Sequence, residues 1–191
     1  MKKIERSDIL EIDSYEKIRP EFRQRMMGLK EPRRISVGPY LTFIFENTQT
    51  MIYQVQEMMR VEKIREESAI HHEIETYNQL VPGENELSAT LFLEFDDPTV
   101  RRVKLEELVG LDDHTFLLID RDYQTQAQFD EKQKDERKLS SVQYIKFPRT
   151  EKAREAFLTS PYVEILTTHP ACSYRQALRA DQIEALRQDL T

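Results

Sequence analysis

The sequence predicts an α+β fold: a helical N-terminal half with a helical hairpin, packed on a mainly antiparallel sheet. Three observations lead there. Apolar residues recur at helical spacing over most of the stretch from Ile9 to Leu80. After Leu87 the period shortens, and compact apolar runs alternate with turn residues. The chain has 191 residues, 39% hydrophobic and 33% charged, with both signs interleaved. That balance fits one solvated globular domain over residues 1–191, not a disordered chain.

Ser7 and Asp8 are N-cap residues for a first helix, with Ile9, Leu10, Ile12, Tyr15 and Ile18 at its apolar positions. Pro20 suits the first turn of a second helix that turns Phe22, Met26, Met27 and Leu29 inward and stops near Lys30. The β-branched and aromatic residues from Ile35 to Phe45 read as strand, broken at Gly38-Pro39, and Asn47 to Gln49 as a turn. Helical spacing resumes at Thr50 and runs through Ile52, Val55, Met58, Met59 and Ile64. Ser68 caps a following helix through Ile70, Ile74, Tyr77 and Leu80, closed by Pro82-Gly83. These two helices make the hairpin.

Beyond them, Ser88 to Phe95 reads as strand and Asp96-Asp97-Pro98 as a turn. Val100 to Leu105 alternates like a half-exposed strand, and Leu105 to Gly110 makes one helical turn. Thr115 to Ile119 is a buried strand and Tyr123 to Phe129 a weaker one. Asp130 to Lys138 has no apolar residue and reads as an exposed loop. Val142 to Phe147 and Tyr162 to Thr167 are strands flanking a short helix capped by Thr150. Asp181 caps a terminal amphipathic helix through Ile183, Leu186 and Leu190.

Several function classes are disfavoured at once. No apolar run approaches the roughly 20 residues that span a bilayer, and MKKIERSDILEI lacks the apolar core of a signal peptide. Cytoplasmic location and no membrane association are therefore expected. Cys172 is the single cysteine, which removes an intrachain disulfide and any cysteine-built zinc or iron–sulfur site. A formal net charge of −7 disfavours nucleic-acid binding by global charge. The local exception is Arg19–Arg34, where Arg19, Arg23, Arg25, Lys30, Arg33 and Arg34 face only Glu21 and Glu31. Such a cluster suits a phosphate, a carboxylate or an RNA backbone; a solvated helix paired with acids elsewhere gives the same composition.

The hairpin holds the densest polar concentration. Glu67, His71 and Glu75 are spaced i, i+4, i+8 and so stack on one helix face; His72 and Glu75, at i, i+3, converge. Imidazole and carboxylate suit iron, manganese or zinc. His71, His72 and Glu75 are thus candidate metal ligands, with Glu57 or Glu62 from the preceding helix completing the site if the hairpin brings them across. A solvated helix face with charge pairs explains the same spacing. His114 and His169 fall at strand ends, where functional groups are often displayed; either could join the helical histidines. His169 also lies three residues from Cys172. Tyr77 and Asn78, followed by Glu86, Ser88 and Thr90, place further polar groups at the helix-to-strand junction, with helix capping the simpler role for Asn78.

The blocks KKIERSDIL, YEKIRPEFR, RRISVGPYLTFIFEN, YQVQEMMRVEKI, HEIETYNQLVPG, ELSATLFLE and VQYIKF, then HP before a terminal helix, follow one another in this order. Together they resemble a bacterial family catalogued as domain of unknown function 3501, over nearly the full chain. The resemblance brings no activity and no catalytic residues. It implies genomic association with rubrerythrin-like di-iron proteins and cysteine-rich iron–sulfur oxidoreductase-like proteins, hence a redox or peroxide-related setting. Glu57, Arg60, His72, Glu73, Tyr77, Asn78 and Pro82 match the recurrent blocks and rank the sites.

The expectation is an accessory protein of a redox or oxidative-stress system, with a metal- or small-ligand-binding polar pocket around Glu57, Arg60, His72, Tyr77 and Asn78. One alternative is a non-enzymatic module docking an iron–sulfur oxidoreductase or rubrerythrin-like partner. Another is anion or RNA binding through Arg19–Arg34, with Arg33 and Arg34 as contacts. Whether the chain is an enzyme, or a homo-oligomer, the sequence leaves open.

Overall fold

In the N-terminal half helices form where apolar spacing places them, with a difference at Pro20. In the computed structural model, which describes residues 1–190 except 121, 134 and 136, a single helix α1 (Ile12–Lys30) runs through the proline. Pro20 has no N–H to give the Glu16 carbonyl, yet it sits on the exposed side. Contacts on both sides of it hold the helix together. Tyr15 and Arg19 bind Glu57 of the next helix, and Phe22 packs edge-on against Tyr15. Met26 is buried but Met27 is largely exposed, so only one of that pair faces inward.

Strands β1 (Arg34–Val37) and β2 (Leu41–Glu46) form a hairpin around Gly38. The expected turn at Asn47 is in fact a helix cap. The Asn47 side chain accepts from Thr50 N–H and Thr50 Oγ1 accepts from Asn47 N–H, a reciprocal pair that opens α2 (Thr48–Glu62). Lys63 in the left-handed region closes α2, and α3 (Glu67–Asn78) turns back to complete the helical hairpin.

Next come β3 (Glu86–Leu93) and α4 (Pro98–Glu107). The reading of Val100–Leu105 as strand is wrong. Asp97 Oδ1 accepts from the N–H groups of Thr99 and Val100, and Pro98 occupies the first turn, so a capped helix overrides a weak alternation. After it run β4 (Thr115–Ile119), β5 (Tyr123–Gln126), β6 (Gln128–Phe129), β7 (Val142–Pro148), α5 (Glu151–Thr159), β8 (Val163–His169), β9 (Cys172–Ala177) and α6 (Ala180–Arg187). The expected strand over Tyr123–Phe129 is divided at Ala127, its halves pairing with different sheets. Strand β9 is not read from the sequence because Ser173, Arg175 and Gln176 are exposed and polar. Within the expected loop, Glu131–Gln133 form one 3-10 turn; residues 134 and 136 lie outside the described residues. The last helix begins after Arg179, not Asp181.

All pairings are antiparallel, and the strands divide between two sheets: β1-β2-β3-β7-β6 and β5-β4-β8-β9. Between the sheets lies the main core, built from Phe43, Phe45, Leu91 and Phe147 against Leu117, Ile119, Ile165 and Phe157. A second cluster joins the N-terminal segment to α2 and α3 through Ile4, Ile9, Val55, Met59, Ile70 and Ile74. Every residue of β2 is buried, so both faces of the first sheet are covered. One face meets the main core; the helical layer covers the other.

Candidate functional site

The helical hairpin does not gather its polar residues into one pocket. Glu57 faces α1. It accepts from Tyr15 Oη at 2.6 Å and from Arg19 Nε and Nη2 at 2.8 and 3.0 Å. Arg60 donates to Glu16 at 2.8 Å on the same side. These pairs pin α1 to α2. His71, His72 and Glu75 lie on the exposed side of α3, with His71 Nε2 3.6 Å from Glu67. Among the described residues no three histidine, cysteine or acidic side chains are grouped as metal ligands would be. Glu62 is exposed as well.

The Arg19 guanidinium holds the Glu57 carboxyl below the usual carboxylate range, aided by the Tyr15 hydroxyl and opposed by burial. A carboxyl lowered in the folded state contributes stability that is complete above its unfolded value and fades as pH falls through the folded one. Glu57→Gln is therefore expected to be less stable than the parent at neutral pH, with the gap closing as acid falls below about pH 4.5. Urea midpoints at pH 7 and pH 3 check this; an unchanged gap would assign the loss to packing.

Asn78 clamps the N-terminal segment: its amide accepts from Ile4 N–H at 2.8 Å and donates to Ile4 O at 3.0 Å. Lys3 Nζ donates to the carbonyls of Asn78 and Val81, closing the end of α3 with a cation. Asn78 is thus a tether, not the helix cap. Arg33 is not displayed to any ligand. It is 2% exposed, and its guanidinium grips both Asp189 oxygens at 2.5 and 2.7 Å and the Ala185 carbonyl at 3.0 Å. Arg19 is taken by Glu57. Arg23, Arg25 and Arg34 remain on the surface, with Arg34 4.0 Å from Glu94.

His114 and His169 meet each other and not the hairpin, their rings 5.4 Å apart and edge-on. His169 Nδ1 accepts from Ala171 N–H, which assigns the ring proton to Nε2, facing Val109 O at 3.2 Å. Both nitrogens are engaged, so His169 is no base for Cys172. Burial pushes the Cys172 thiol up, away from a nucleophile.

The polar concentration that survives lies on the helix-facing side of the first sheet. Register sets Glu46 opposite Ser88 and Thr90 opposite Tyr144. Glu46, Ser88 and Thr90 are 5%, 1% and 6% exposed. Thr90 Oγ1 donates to Glu46 Oε1 at 2.7 Å, whereas Glu46 Oε2 and Ser88 Oγ are buried without a partner among the described residues. Burial raises the Tyr144 phenol, and the Glu46 and Asp130 carboxylates raise it further. Tyr77 is also raised by burial, against a bond from Gln54, and it senses Tyr144. This layer therefore runs from the hairpin to the sheet.

It opens at a cleft of about 380 Å³, lined by Lys3, Leu80, Gln128, Asp130, Tyr144 and Lys146 among others. Burial and then the neighbouring Lys146 lower the Lys3 ammonium, against the pull of Glu86. Burial alone would raise Glu86, but bonds from Lys146 at 2.6 Å and from Gly83 N–H bring it below its ordinary value. Two ammonium groups at a rim suit a carboxylate or phosphate. The unpartnered carboxylate oxygen and hydroxyl beneath suit a hydrogen-bond donor.

The sequence model of a family described as Protein of unknown function (DUF3501) matches residues 3–190. The chain belongs to that family. A crystal structure of a novel protein of unknown function from Burkholderia pseudomallei is 30% identical, with a TM-score of 0.94 over 100% of both chains. No curated protein matches the chain. For this family member the sequence drew attention to Tyr77, Ser88 and Thr90 but missed Glu46, Tyr144, Lys3 and Lys146. Glu46 had one available signal, an acidic residue ending a strand that is apolar apart from Thr42.

Proposed function

We propose that this protein binds a small anionic ligand at the Lys3–Lys146–Tyr144 cleft, as an accessory component of a redox or oxidative-stress system. One observation carries the binding: Lys3 and Lys146 line the cleft with Tyr144, whose register partner Thr90 bonds Glu46, a buried carboxylate whose second oxygen has no partner among the described residues. A buried polar atom without a partner is costly, and a ligand donor or a bound water relieves that cost. The redox setting rests on the family resemblance. Should α3 take a metal, His71, His72 and Glu75 are the ligands we assign.

Thermal-shift titration of the full chain with small carboxylates and phosphates tests the cleft. The expected result is a saturable shift with at least one ligand, weakened about tenfold or more in Lys146→Met, as loss of a charge-assisted bond implies. Equal affinity in parent and variant, or no saturable shift with any of them, would sink the proposal. Elemental analysis of protein purified anaerobically without chelator or histidine tag tests the metal. Stoichiometric iron, manganese or zinc that disappears in His72→Ala supports it; metal-free protein removes it.

A further inference from the structure

A second unsatisfied charge lies on the opposite face of the first sheet. Arg149 continues the β3–β7 ladder, its N–H donating to Asn85 O at 2.8 Å. Its side chain is on the side of Phe147 and Phe157 and is 6% exposed. The guanidinium carbon lies over the Phe157 ring, 5.3 Å from its centre, a cation–π contact. Its in-plane donors Nε, Nη1 and Nη2 are all buried with no hydrogen-bond partner among the described residues. Arg154 lies close enough to repel it, and Arg154 Nε is unpartnered too, although Arg154 Nη2 holds Leu190 O at 2.5 Å. Asp189, the nearby acid of the C-terminal segment, is already neutralised by Arg33. Glu86 contributes only a distant attraction to Arg149.

A guanidinium is always charged at physiological pH, and its planar donor edge matches two oxygens of one anion. Buried charges in proteins are paired. We propose that Arg149 and Arg154 form a binding site for a small oxyanion, a phosphate or a carboxylate, held in the plane of the Arg149 guanidinium beside Phe157. Donors this deeply buried exclude a polymer such as RNA. This site is separate from the Lys3–Lys146 cleft and does not depend on it.

The test uses the full chain, with inorganic phosphate and acetate as probes, read by calorimetry and by thermal shift at matched ionic strength. Phosphate also stabilises proteins by exclusion from their surface, so saturation is the diagnostic. The expected result is a saturable response in the parent and in Lys146→Met, weakened about tenfold or more in Arg149→Met and in Arg154→Gln. Methionine keeps the apolar stem over Phe157, and Arg154→Gln provides a second reading should Arg149→Met fold poorly. No saturable response to either probe in the parent would overturn the site. So would a response that both arginine variants retain, or one that only Lys146→Met abolishes.

Discussion

Asp189→Ala is expected to destabilise the protein by about 3–5 kcal/mol, the range found when one partner of a buried ion pair is removed. For a chain of this size that corresponds to a fall in Tm of roughly 6–20 °C. The Arg33 and Asp189 side chains are 2% and 3% exposed. Without Asp189, the Arg33 charge is left with one carbonyl acceptor, Ala185 O, in a site closed to water. The Asn47 amide also loses its 3.3 Å bond to Asp189. The double variant Arg33→Met with Asp189→Leu is expected to recover most of the loss, because the desolvated charge goes with its partner. Urea denaturation of the parent and the two variants decides this; an Asp189→Ala protein within about 1 kcal/mol of the parent would mean the pair is relaxed by solvent.

Gly38→Ala is expected to cost about 2–5 kcal/mol, from two separable sources. Gly38 has φ 62°, in the left-handed region that costs an L-residue roughly 1–2 kcal/mol. A methyl group there would also stand 2.5 Å from Cγ and Cδ2 of Tyr174, which forces the ring to move, for about 1–3 kcal/mol more. Gly110→Ala is the control. Its φ is 89° but nothing lies within 4 Å of the added carbon, so it reports the backbone cost alone. Equal losses in the two variants would show that Tyr174 yields freely.

The helical half was legible because helix signals are local. Periodicity, the Pro82-Gly83 stop and the compact apolar run of β4 each act within a few residues. Val100–Leu105 misled because six residues can satisfy either period, and only the Asp97-Pro98 cap separates them. Strand β9 was invisible because an edge strand with exposed polar residues has no core face to leave a pattern. The site was legible in part for the same reason. Tyr77, Ser88 and Thr90 lie near one another in sequence, whereas Glu46 and Tyr144 meet them only through strand register. His71 and His72 drew attention by residue type, yet sequence does not say which helix face meets solvent. Arg33 stood out as a basic residue in a basic stretch, while its partner lies 156 residues away.

The close approach of Tyr174 to Gly38 has a consequence for how the protein behaves at high concentration. The ends of a β-sheet offer unpaired backbone groups to any passing strand, and long flat ends invite aggregation. Here β1 ends the first sheet and β9, the longest of the four terminal strands, ends the second, and the two come together at Gly38 and Tyr174. Each thereby shields the other from a foreign chain without a hydrogen bond being made. The remaining termini, β5 and β6, are only four and two residues long. Loosening the Gly38–Tyr174 contact is thus a way to make this protein self-associate while its two sheets stay folded.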